Sequence, residues 1–100
     1  MTEEDGDEPT QHCRVDEQVN LFAALEASGI EHLEVDAKRA VVIYRTAILM
    51  CIVTEGQATA AQNFDVELWK SPLENPTRDP DDLLTAFVDE LLATTDTTRL

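Results

Sequence analysis

The chain reads as a mainly α protein: a small domain of three or four helices around a buried central helix. Three observations predict it. The most apolar stretch, Ala40 to Val53, is broken only by Arg45 and Thr46. A second apolar stripe, Leu83, Leu84, Phe87, Val88, Leu91 and Leu92, recurs at the three-and-four spacing of a helix. Gly29 and Gly56 stand where helices would stop.

Taken in order, residues 1–12 read as a disordered acidic tail, with Glu3, Glu4, Asp5, Asp7 and Glu8 close together and no large apolar residue after Met1. Residues 13–95 form the domain, and 96–100 are expected to fray. The first helix is placed over Val15 to Ser28, with Val19, Leu21, Phe22 and Leu25 on one face. Gly29 is its left-handed terminator, and Ile30 folds back on the last turn in a Schellman motif. Ile30 to Val35 reads as either a short strand or a connecting turn.

Asp36 caps the central helix, Ala37 to Glu55. Val41, Val42 and Ile43 are β-branched and would suit a strand. The run is nevertheless longer than a typical strand and holds no recognised turn signal, so helix is preferred. Val41, Tyr44, Ile48, Cys51 and Ile52 are the predicted core positions, facing Leu84, Phe87 and Leu91. From Gln57 to Lys70 two patterns compete: Ala58, Ala61, Phe64 and Leu68 fit a helix, preferred at the start, while Phe64, Val66 and Leu68 alternating with Asp65 and Glu67 fit a strand equally well, so Phe64 to Trp69 reads as either. Ser71 to Asp79 is a linker containing Pro72 and Pro76. The last helix, Asp79 to Ala93, has the clearest start: an aspartate cap, Pro80 at the first position, and Asp81 and Asp82 in the first turn.

Charge bounds the function. The formal net charge is −14 on 100 residues, from 21 Asp and Glu against 7 Lys and Arg, and only Lys38 and Lys70 are lysines. Such a shell repels itself at low salt and is screened at high salt. With abundant Thr and Ala it fits a salt-adapted, halophilic protein. It argues against nucleic acid and anionic membrane as partners, since both demand basic surface. Ala40 to Val53 is shorter than the roughly 20 residues of a spanning helix. The acidic N-terminus has no secretory pattern, and Cys51 in an apolar run reads as a buried free thiol. Both point to the cytoplasm.

No residue set suggests catalysis, so a non-enzymatic role is expected. His12 beside Cys13 invites a metal or thiolate reading, but the remaining candidates, His32 and Cys51, are scattered singly, without the paired spacing of a zinc site. Asp79, Asp81 and Asp82 lack the glycine and terminal glutamate of a calcium loop and serve as a helix start. Gly6, Gly29 and Gly56 are too dispersed for a phosphate loop. No metal or cofactor is assigned. Lys38, Arg39 and Arg45 form the one basic grouping, either paired locally with Glu31, Glu34 or the acidic tail or touching an acidic partner.

Ile48 to Val53 followed by Thr54, Glu55, Gly56, Gln57, Ala58, Thr59, Ala60 and Ala61 resembles the helix-turn-helix region of winged-helix proteins, over about a fifth of the chain. That resemblance implies an α+β winged-helix fold, with Thr59 capping the second helix, and a role in transcriptional regulation. Gln57 to Leu68 departs from it by lacking any Arg or Lys and by carrying Asp65 and Glu67. The reading preferred from sequence is a protein-interaction or assembly protein that binds a protein partner or self-associates as a homodimer. The alternatives are the winged-helix regulator and an acidic inhibitor of a basic or nucleic-acid-binding partner.

Overall fold

Strands, not helices, carry the apolar centre of this chain. The computed structural model describes residues 9–70 and 79–100; most of the expected acidic tail and the linker with Pro72 and Pro76 lie outside them. In chain order come β1 (Thr10–Val19), α1 (Leu21–Ser28), β2 (Glu31–Asp36), β3 (Arg39–Tyr44), β4 (Ala47–Glu55), a 3₁₀ turn (Ala58–Ala60), β5 (Ala61–Lys70) and α2 (Pro80–Leu92). The strands form one antiparallel sheet in the order β1-β5-β4-β3-β2. The mainly α prediction is therefore corrected to mainly β, and the region carrying the winged-helix resemblance is strand β4, a 3₁₀ turn and the start of β5.

The expected central helix is a hairpin. It folds at Arg45 and Thr46, whose φ angles are 50° and 68°, and it closes on the pair Tyr44–Ala47. Two successive positive φ values make the tight two-residue turn whose twist suits antiparallel strands. Such turns usually announce themselves with Asn or Gly, and neither is present here. Strand alternation then splits the predicted core. Tyr44 and Cys51 are buried with Leu84, Phe87 and Leu91. Val41, Ile48 and Ile52 point to the opposite face and are half-buried.

Both helices pack on one side of the sheet. Beneath them lie Val42 and Tyr44 from β3, Leu49, Cys51 and Val53 from β4, and Phe64, Val66 and Leu68 from β5. Helix α1 begins at Leu21, later than predicted, because Val15 to Val19 finish β1. Its cap is Asn20, whose Oδ1 accepts from the Ala23 N–H at 3.0 Å. Its end is as read from sequence: Gly29 sits at φ 72°, its N–H donates to the Glu26 carbonyl, and Ile30 N–H donates to Leu25 at 3.2 Å. In α2 the Asp79 side chain accepts from Asp81 N–H at 2.9 Å, with Pro80 leading the helix. Tyr44 meets Phe87 edge to face at 5.4 Å.

The C-terminal residues, expected to fray, lie along the outer side of β1. Asp16 N–H donates to Thr98 O at 3.1 Å, Leu100 N–H donates to Arg14 O at 2.7 Å, and Val15 bridges Arg99.

Candidate interaction surface

The second face of the sheet has no helix on it among the described residues. Register defines it. Opposed residues in an antiparallel sheet share a face, and Leu33 stands opposite Val41, Val41 opposite Met50, and Ile43 opposite Ile48. Ile52 lies between Arg39 and Asp65. The result is an apolar field across β2, β3 and β4. Leu33 is 68% exposed and Ile43 37%; Val35, at the bulge in β2, is 45% exposed, and Trp69 on β5 is 49%. Leu33, Val35, Ile43 and Trp69 were not singled out from sequence. The signal was present as alternation in 41, 43 and 48, 50, 52, hidden because the intervening residues 40, 42, 49, 51 and 53 are also apolar.

Charges of both signs ring this field, with acids in excess and Glu55 among them beside Asn63. Asp36 holds Arg39 at 2.7 Å, and Asp65 lies 2.7 Å from His12. Two further acids, Glu31 and Glu67, stand on the same face as Arg14 and Lys70. Elsewhere the described acids crowd the helices and turns, with Asp79, Asp81, Asp82, Asp89 and Glu90 all exposed on or beside α2.

The three basic residues grouped from sequence do not come together. Lys38 and Arg39 sit at the β2–β3 turn, where Asp36 accepts from the Lys38 N–H at 2.9 Å and binds the Arg39 guanidinium. These contacts hold the Asp36 carboxyl below its usual range, the Arg39 hydrogen bond most of all. Beside them is a shallow depression of about 360 Å³ that reaches Ile52 and Val53. Arg45 lies at the other end of β3, stacked over the Tyr44 ring at 5.0 Å and 3.8 Å from Glu90. Glu90 also accepts from the Tyr44 hydroxyl at 3.1 Å. That cluster ties the β3–β4 turn to the last turn of α2.

The remaining chemical candidates separate in the same way. His12 and Cys13 are neighbours in β1, so their side chains project to opposite faces. His12 is on the open face with Asp65, while Cys13 is 3% exposed beneath the helices. Burial pushes the Cys13 thiol up to about 11 and the Cys51 thiol up to about 12. Both thiols are free. Their protonated state makes them packing groups, not nucleophiles. His32 Nδ1 donates to the Ile30 carbonyl at 2.9 Å, which closes the turn out of α1. Among the described residues, no three His, Cys, Asp or Glu side chains gather where a metal could sit. No described helix is long and apolar enough to cross a membrane.

The two sheet edges differ from the open face. The C-terminal residues occupy the outer side of β1. Strand β2 is the other edge, and it carries Glu31, Glu34 and Asp36. Charged side chains on an edge discourage a further strand from joining. Comparison with protein families, with curated proteins and with solved structures finds no match to this chain.

Proposed function

We propose that this chain is a small, non-enzymatic protein-interaction and assembly domain of a salt-adapted cytoplasm, and that the open face of its sheet is the working surface. One observation carries the reading. In a chain of net charge −14, the outward positions of β3 and β4 from Val41 to Ile52 hold no acid. An apolar field of this kind, rimmed by paired charges, is the usual mark of a protein contact. An acidic shell serves a free surface in high salt, and an apolar patch whose centre is spared by the acids is suited to being covered. The cytoplasmic part of the proposal is supported by two buried thiols left unpaired.

The test is binding of an environment-sensitive apolar dye to the full chain between about 0.1 M and about 3 M salt, a range that spans weak to near-complete screening. The folded chain is expected either to bind the dye or to associate. Ile43→Glu should abolish both while leaving the circular dichroism spectrum intact. A folded chain that does neither at any salt concentration would overturn the proposal.

A further inference from the structure

We infer that the occupant of the open face is a second copy of this chain, stacked sheet on sheet about a two-fold axis. The inference rests on the interaction reading above and names its partner. Three features of the molecule lead to it.

The first is charge. Two chains that each carry −14 repel over most of their surfaces. They can approach only where each is locally near neutral. The open face comes nearest to that condition: its apolar centre from Val41 to Ile52 holds no acid, and around it Glu31, Asp36, Glu55, Asp65 and Glu67 are interspersed with Arg14, Arg39 and Lys70. A basic partner would be drawn instead to the acids along α2.

The second is the state of the edges. Edge-to-edge pairing through β1 is obstructed at its middle by residues 98–100, which already take up backbone groups of Arg14 and Asp16. Pairing through β2 would bring Glu31, Glu34 and Asp36 of two chains together. The face is the route left to a second copy.

The third is size. The sheet has five strands. At strand spacings of about 4.8 Å and lengths of about 20 Å, two stacked faces cover about 1,000 Å² of flat area. A specific protein contact begins at about that figure. Sheets stacked this way lie about 10 Å apart with their strands about 30° askew, which brings Val41, Ile43, Ile48 and Ile52 of one copy against those of its mate. The contact should strengthen with salt, because screening removes the repulsion between the two acidic shells while the apolar contact remains.

The experiment is sedimentation equilibrium of the full chain at tens of micromolar across the same salt series, with dye binding measured on the same samples. A doubled mass in high salt is expected, returning to monomer in Ile43→Glu and in Ile52→Glu. Ile43→Cys supplies a readout that does not depend on those variants folding. With Cys13 and Cys51 buried, its thiol is the reactive one, and a short bifunctional maleimide should link two chains in high salt. A monomer that binds dye, with dye binding lost in Ile43→Glu, would overturn the second copy as occupant and leave the interaction face standing. A monomer that binds no dye would overturn both. A doubled mass that survives both glutamate variants would place the contact elsewhere and overturn the inference.

Discussion

The two faces of one sheet are built from the same kinds of residue and meet different surroundings. Leu49, Cys51 and Val53 of β4 point under α1 and α2 and are almost completely buried. Ile48 and Ile52, their neighbours in sequence, point the other way and are only partly buried, although Met50 between them is 5% exposed. Hydrophobicity therefore does not distinguish a covered face from an open one in this chain. The surrounding charge does: acids accumulate along the outside of α2, which carries no base, whereas the acids on the rim of the open face are interspersed with Arg14, Arg39 and Lys70.

A pair of truncations should separate the two faces most widely. Phe87→Ala on the covered side removes a fully buried ring and its contact with Tyr44, and should cost about 3–5 kcal/mol. Ile43→Ala on the open side should cost less than about 1 kcal/mol in the monomer, because its side chain already meets water. Urea unfolding in matched high salt, at protein concentrations low enough to keep the chain monomeric, measures both. Equal losses would mean that the open face is covered within a single chain.

That same doubling of apolar faces explains what the sequence concealed. Capping is local chemistry, so Asp79 with Pro80 and Gly29 with Ile30 are legible, and α2 and the end of α1 follow from them. Strands β3 and β4 are not legible as strands. Their inward and outward residues are both apolar, so the period of two disappears and only a long apolar run remains. The turn that divides the run uses Arg45 and Thr46, residues that do not advertise a positive φ. The interaction surface is hidden for the same reason: in a helix Val41, Ile48 and Ile52 would all be core, and in strands they point outward. The grouping of Lys38, Arg39 and Arg45 failed with it, since a strand carries Arg45 to the opposite end from Arg39.

The two faces also differ in what they do to a thiol. Cys13 and Cys51 lie on the covered side with their thiols pushed up to about 11 and about 12. At pH 8 a disulfide reagent should modify them at least about a hundredfold more slowly than it modifies Ile43→Cys on the open side. The sign of the linked stability follows. The unfolded thiols ionise near the ordinary value of 9.0, while the folded chain keeps its protons. Their contribution is thus whole below pH 9 and is lost as pH rises through the folded values. The urea midpoint should fall over that alkaline range in the native chain and fall less in Cys51→Ala.

A smaller effect is expected at the turn that joins the two central strands. Thr46 is β-branched and held at φ 68°, a conformation that costs a non-glycine residue of order 1 kcal/mol. Thr46→Gly should therefore stabilise the chain by up to about 1 kcal/mol, read as a higher urea midpoint with an unchanged slope. Its side chain lies at the end of the hairpin and not on the apolar field, so self-association should be unaffected. A destabilised variant would show that the Thr46 side chain contributes more than its backbone strain costs.

The least of these effects concerns the edge that the chain seals for itself. Thr97 is buried, and its hydroxyl donates to Asp16 Oδ1 at 2.6 Å, while Asp16 also accepts from the Thr98 N–H at 3.1 Å. The Thr97 hydrogen bond, followed by the one from Thr98, holds the Asp16 carboxyl below its ordinary value of 3.8. A lowered folded value means that this attachment is whole above pH 3.8 and weakens as pH falls through the folded value. Amide exchange at Leu100, whose N–H is bound to Arg14 O, should then accelerate in acid relative to amides in β4. Asp16→Asn should show the faster exchange already at neutral pH, with less further response to acid. If the Leu100 and β4 amides respond alike, the C-terminal residues are not held by Asp16. The closed edge of β1 would then need another explanation, and that edge would compete with the open face for a second copy.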